Sequence, residues 1–139
     1  MIEQILKDIK DLKIQGAENV AKAGVQAVSE YLENSIFDQK KIYQDLIILR
    51  RRIEESRPTE PCLRNTMTLL FTDLNETNVK DQMRKNVEKA NEHFKATNAL
   101  IAEFGSRKIK NGMAVFTHCH SSAVMDILKE AKRKKINFS

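Results

Sequence analysis

Tryptophan is absent from these 139 residues, and proline, cysteine and tyrosine occur only twice each. Pro58 and Pro61 stand almost side by side, so proline interrupts a helix at one place only. Cys62 and Cys119 form neither a metal spacing nor a disulfide framework, and each is expected to be a free thiol in a reducing compartment. No apolar run approaches the roughly 18 to 20 residues that a bilayer-spanning helix needs, so no transmembrane helix and no membrane partner is expected. The start, Met1-Ile2-Glu3-Gln4, lacks the basic-then-apolar layout of a secretory leader. The expected location is therefore cytoplasmic.

Apolar residues make up 41% of the chain, which suffices for one globular core at this length. Formal charge is +5, and the excess gathers at Lys129, Lys132, Arg133, Lys134 and Lys135. A cationic helix end suits the negative pole of a helix dipole. No nucleic-acid-binding signature accompanies the run, so a nucleic-acid partner is not expected.

Helical periodicity dominates. The first helix is expected over about residues 2–12, with Ile5, Leu6, Ile9 and Leu12 facing inward, and Gly16 follows as a break. The second spans about residues 17–34, with Val20, Gly24, Ala27, Val28 and Tyr31 as its inner stripe. Gly24 lies inside that helix at a cost of about 1 kcal/mol against alanine, which points to a neighbouring helix approaching closely. The third covers about residues 38–55 and buries Ile42, Leu46, Leu49 and Ile53. The fourth covers about residues 62–74, with Leu63, Met67, Leu70 and Phe71. The longest runs over about residues 77–105 on a stripe of Val79, Met83, Val87, Ala90, Phe94, Thr97, Ile101 and Phe104, with Gly105 as its stop signal.

After Gly112 the pattern changes. Met113-Ala114-Val115-Phe116-Thr117 reads as a short buried parallel strand. Ser121 and Ser122 open a helix to about residue 134, carrying Val124, Ile127, Leu128 and Ala131. Ile136-Asn137-Phe138 reads as the beginning of a second strand. The expected fold is mainly α: an N-terminal helical bundle over residues 1–110, then over residues 111–139 the first β-α-β step of a Rossmann-like α/β domain. One such step does not cover its own sheet, so a truncated domain is expected, and its open edges favour a homo-oligomer.

The chemistry concentrates in Phe116-Thr117-His118-Cys119-His120-Ser121-Ser122-Ala123, at the end of the predicted strand and the start of a helix, where open α/β sheets bind ligands. Amides at a helix start attract anions, phosphate above all. Ser121 and Ser122 can cap the helix or bond a phosphate oxygen. The same field lowers a nearby thiol's pKa, which improves Cys119 as a base or nucleophile. Neighbouring side chains of a strand point to opposite faces, so His118, Cys119 and His120 do not grip one ion, and no metal is expected. Cys62, opening a helix after Pro61 without an acid–base neighbour, reads as structural.

The segment Phe116-Thr117-His118-Cys119-His120-Ser121-Ser122 resembles the thiol motif of the ribose-1,5-bisphosphate isomerases. Related forms occur in methylthioribose-1-phosphate isomerases, and both belong with the alpha, beta and delta regulatory subunits of translation initiation factor 2B. Arg57-Pro58-Thr59 is similar to the family's arginine-proline-threonine turn, and Lys13-Ile14-Gln15-Gly16-Ala17 to its early phosphate-side loop. Ile136-Asn137-Phe138-Ser139 matches the strand that follows. The resemblance covers the whole chain, which would equal the first part of a full family member.

The resemblance implies aldose-to-ketose isomerisation of a sugar bisphosphate, with no cofactor, by a shift of protons between adjacent carbons. Cys119 would accept the proton, and an aspartate further along would donate one. Arg57 would contact a phosphate, the loop at Gln15, Gly16 and Ala17 would line the site, and Ser121, Ser122 and Ala123 would hold the substrate. A guanidinium fork suits phosphate oxygens. Where the isomerases usually carry arginine this chain has Gln15, whose neutral amide binds phosphate far less strongly. The alternative is a non-catalytic regulatory subunit that binds an initiation-factor protein partner. One fold serves both, so fold does not decide between them.

Overall fold

Six helices carry the chain: α1 (Ile2–Lys10), α2 (Ala17–Asn34), α3 (Gln39–Ser56), α4 (Pro61–Leu70), α5 (Val79–Ser106) and α6 (Ser122–Arg133). The computed structural model describes residues 1–118 and 121–139. The chain divides into two compact units, Met1–Asn91 and Glu92–Ser139, so that α5 begins in the first and ends in the second. Among the described residues no helix is long and apolar enough to cross a membrane.

In the first unit α2 occupies the centre. It packs most closely against α4 and also meets α1 and α3. Its buried residues, Val20, Ala21, Ala23, Gly24, Val25, Ala27, Val28 and Leu32, occupy more of its circumference than a single stripe. The close approach expected at Gly24 is present. A methyl carbon placed there would lie 2.7 Å from Leu63 Cδ1, 3.0 Å from Met67 Cε and 3.2 Å from Ile53 Cγ2. All three neighbours are fully buried and have nowhere to retreat. The α3 stripe of Ile42, Leu46, Leu49 and Ile53 is buried as expected.

Local capping explains most helix ends. Asp38 Oδ1 accepts from Lys41 N–H at 2.9 Å at the start of α3, an ordinary N-cap. Pro61 stands in the first turn of α4, where its missing N–H costs nothing. Two ends differ from the expected ones. Leu12 is exposed, because α1 stops at Lys10 and Leu12 turns through the left-handed region at φ 59°. There Asp8 O accepts from the N–H groups of Lys13 and Ile14. The fourth helix ends at Leu70, before the expected residue 74, because Asp73 is left-handed and Asn75 and Asn78 knit a tight turn. Asn75 Oδ1 accepts from the amides of Thr77 and Asn78, and Asn78 Oδ1 from the amide of Asn75. Asn86, on α5, is buried and donates through Nδ2 to Leu70 O and Thr72 O, both at 2.8 Å. It thus satisfies carbonyls at the C terminus of α4 that the helix leaves open.

In the second unit α6 packs on the end of α5. Gly105 lies inside α5, and a methyl carbon there would sit 2.5 Å from Ile127 Cδ1 and Cγ1. It therefore serves close packing, and α5 ends one residue later, close to the stop the sequence pattern marks. The buried Ser106 Oγ accepts from Lys134 Nζ at 2.9 Å. The expected α5 stripe is buried at Val79, Met83, Ala90 and Phe94, while Ile101 and Phe104 are exposed. The covering helix meets α5 at Gly105 and Ser106, beside that stripe.

At its far end α6 stops in a Schellman arrangement. Lys135 adopts φ 60° and donates its N–H to Lys132 O, and Ile136 N–H reaches Ala131 O. Four cations of this end have partners within the unit. Arg133 and Lys134 pair with Glu130, Lys129 pairs with Asp126, and Lys132 Nζ stands 4.4 Å from the Phe138 ring centroid. Among the described residues there is no strand. Where two strands are expected, Met113 and Phe138 form an isolated parallel bridge. It is flanked by Gly112 N–H to Asn137 O at 2.8 Å, Ser139 N–H to Met113 O at 3.1 Å and Val115 N–H to Ser139 O at 2.7 Å.

Two substitutions test this packing. Gly24→Ala removes about 1 kcal/mol of helix-propensity cost but forces a carbon into full core, for which about 1–3 kcal/mol is typical. A net loss of about 1 kcal/mol is expected from these opposing terms, read as a lower Tm with unchanged helix content. Asn86→Ala leaves two carbonyls without their donor and should cost about 2 kcal/mol in denaturant unfolding.

Candidate functional site

One end of the first unit gathers the phosphate-side candidates. Gly16 precedes α2 at φ 86°, a conformation strained for any residue with a Cβ. Ala17 is the first residue of α2. That helix has no side-chain cap hydrogen bond, so its first amides keep the partial positive charge of a helix N terminus. Gln15 is exposed; its side-chain Nε2 donates to Leu12 O at 2.8 Å, and its main-chain carbonyl accepts from Asn19 Nδ2 at 3.0 Å.

Arg57 terminates α3 with φ −150° and ψ 77°. Its carbonyl accepts from Glu60 N–H at 3.1 Å, closing the turn that contains Pro58 and Thr59. The side chain is half-buried, and its Nη1 is a buried donor with no hydrogen-bond partner. Beyond the turn, Glu60 caps α4 by accepting from Cys62 N–H at 3.4 Å. Burial pushes the Cys62 thiol above its ordinary value, and the Glu60 and Glu18 carboxylates push it the same way. Glu18 belongs to the first turn of α2. Gly24 of α2 lies against Leu63 and Met67 of α4, and Glu18 bears on Cys62, so α2 and α4 begin at the same end of the unit, with the Arg57 turn between α3 and α4. A raised thiol pKa disfavours the nucleophilic thiolate, which agrees with a structural role for Cys62.

In the second unit Ser121 caps α6 in extended conformation, its Oγ accepting from Val124 N–H at 3.5 Å and its carbonyl from Met125 N–H at 3.0 Å. Ser122 is the exposed first residue of the helix and Ala123 is half-buried. Cys119, the expected proton acceptor, lies outside the described residues. Beside the start of α6 an apolar cavity of about 370 Å³ is lined by Ile109, Val115, Phe116, Val124, Ile127 and Leu128, with Thr117 and His118 at its polar side.

Gln15, Gly16, Ala17 and Arg57 thus share one end of the first unit, and Ser121, Ser122 and Ala123 share one helix start in the second. Two features escaped the sequence reading. The pairing of Glu60 with the α4 start was legible in the Glu60-Pro61 step, an acceptor immediately before a proline-opened helix. The influence of Glu18 on Cys62 left no trace in the sequence, because it depends on how α2 and α4 pack.

Residues 13–139 match the sequence profile described as the Initiation factor 2 subunit family. The chain is 28% identical over 135 residues to the ribose 1,5-bisphosphate isomerase of Methanocaldococcus jannaschii, covering 94% of this chain and 43% of that protein. It is 32% identical over 137 residues to a Pyrococcus furiosus protein named as translation initiation factor eIF-2B subunit 2-like, covering 99% and 48%. Among solved structures, that of the Pyrococcus horikoshii OT3 translation initiation factor eIF-2B superposes with a TM-score of 0.86 at 25% identity, covering 99% of this chain and 48% of that one. The chain spans less than half the length of these relatives. With nearly its full length matched by the profile, the chain belongs to the Initiation factor 2 subunit family.

Proposed function

We propose that this chain forms the substrate-binding N-terminal part of a sugar-bisphosphate isomerase of the ribose 1,5-bisphosphate type. Arg57 carries the proposal. A guanidinium nitrogen buried without an acceptor, at the same end of the unit as the uncapped start of α2, is matched in charge and geometry to a phosphate oxygen. Amides at Gly16 and Ala17 then add donors to the same anion. Gln15 lines the loop without cationic charge, its Nε2 already bonded to Leu12 O. Ser121, Ser122 and Ala123 hold the substrate through the start of α6. Cys119 accepts the proton removed from the sugar carbon, and the developing thiol is favoured by the neighbouring sugar-phosphate charge.

Residues 113–117 and 136–139 act as the first two parallel strands of a Rossmann-like sheet, and the Met113–Phe138 bridge is their pairing. The apolar cavity beside Val115 and Ile127 is then the face that further elements of that domain cover. The donor aspartate lies among those elements, so these residues alone do not catalyse. The assembled protein is a cytoplasmic homo-oligomer.

A regulatory subunit is the second reading, favoured by the 32% identity to the eIF-2B subunit 2-like protein and by the neutral Gln15. Its partner would be an initiation-factor protein.

The deciding assay follows conversion of ribose 1,5-bisphosphate to the ketose by the full-length gene product. Wild type should turn over, Cys119→Ser should lose at least about a hundredfold in kcat as expected of a lost acid–base group, and Arg57→Ala should raise KM. Absence of turnover in the wild type, with retention of an initiation-factor protein in a pull-down, supports the regulatory subunit. Iodoacetamide offers an independent check at neutral pH: Cys119 should label ahead of Cys62, whose thiol is pushed up by burial and two carboxylates.

A further inference from the structure

Asn111-Gly112 is the sequence's one Asn-Gly step. Both residues are exposed, so water and hydroxide reach them. Glycine after asparagine leaves no Cβ to hinder approach of its nitrogen to the asparagine side chain. Two hydrogen bonds to a single residue hold this step. Gly112 N–H donates to Asn137 O at 2.8 Å, and Asn111 Oδ1 accepts from Asn137 N–H at 2.7 Å.

We infer that Asn111 is a spontaneous deamidation site whose rate is gated by docking of residues 137–139 onto residues 111–115. The reaction is a hydrolysis in two steps. Hydroxide removes the Gly112 amide proton, and the nitrogen attacks Asn111 Cγ. A C–N bond forms, the Cγ–Nδ2 bond breaks, and ammonia leaves with a proton from water. Water then opens the five-membered imide at either carbonyl, giving aspartate or its iso form. The net change is asparagine plus water to aspartate plus ammonia, without oxidation or reduction.

The docked segment opposes the first step twice. The Gly112 proton is held by a carbonyl, and the Asn111 side chain is held toward Asn137. Both restraints end on one residue, so a local opening of residues 137–139 removes them together. The iso product carries an extra main-chain carbon ahead of Gly112. That shifts Gly112 and Met113 out of register with Asn137 and Ser139, so the parallel bridge does not reclose. A transient opening becomes a permanent one.

The test ages the whole chain in mildly alkaline buffer, with and without concentrated urea. Isoaspartate is counted by enzymatic methylation and located by mass spectrometry of proteolytic peptides. Asn111 should be the main product site, about tenfold or more faster in urea than in the native chain, as expected when local protection is removed. Asn137→Pro, which deletes the N–H to Asn111, should raise the native rate toward the urea rate. Gly112→Ala should suppress the urea rate, where its effect on folding no longer matters. Equal rates with and without urea would overturn the gating. A different asparagine as main site, or an unchanged urea rate in Gly112→Ala, would overturn the site itself.

Discussion

Where α2 crosses α4 there is no room for a single carbon at residue 24. Leu63, Met67 and Ile53 close over Gly24 from two other helices, and all three are fully buried. The first unit depends on this contact. It brings the helix axes nearer than ordinary side chains permit, and the dispersion energy of three buried side chains replaces the propensity lost by using glycine. The same contact places the candidate groups. With α2 and α4 seated on each other, the loop at Gly16, the Arg57 turn and the Glu60 cap fall at one end of the unit. The Arg57 turn and the uncapped start of α2 therefore share one end of the unit, across some forty residues of sequence.

The second unit repeats the device on a smaller scale. Gly105 lets Ile127 of α6 rest on the α5 backbone, and the Ser106–Lys134 bond fixes the opposite end of the contact. The Schellman turn after Arg133 then returns the chain so that Asn137 and Ser139 reach Gly112, Met113 and Val115. Polar and apolar demands agree here. The helix end satisfies its carbonyls, and the returning segment satisfies the amides of Gly112 and Val115. The apolar face left beside Val115, Phe116 and Ile127 is the price of a unit with a single helix over two short segments. Relatives twice as long belong to the same family.

Much of this was legible along the chain. The α3 stripe is buried as its spacing requires, and the second helix has the bounds its punctuation announces. Gly24 is legible as a close approach because glycine inside a strongly periodic helix is otherwise costly. Of the site, the Arg57 turn and the Gly16 break are visible as motifs and as backbone requirements. The misreadings share a cause. Leu12, Ile101 and Phe104 fit their stripes by spacing, yet Leu12 lies past the true helix end, and α5 turns a neighbouring face to α6. Gly105 reads as a stop, and α5 does end one residue later; what the pattern does not show is that this glycine is also a packing notch for Ile127.

By itself the sequence determined which segments are helical, which faces of the early helices are apolar, and which family the chain belongs to. Periodicity, caps and motifs act over a few neighbouring residues, so they survive in one dimension. Tertiary structure alone decided that Glu18 bears on Cys62, that the Arg57 nitrogen is enclosed without a partner, and that Asn137 holds both ends of the Asn111-Gly112 step. Each of these depends on groups distant in the chain meeting at ångström range, and such meetings are set by packing.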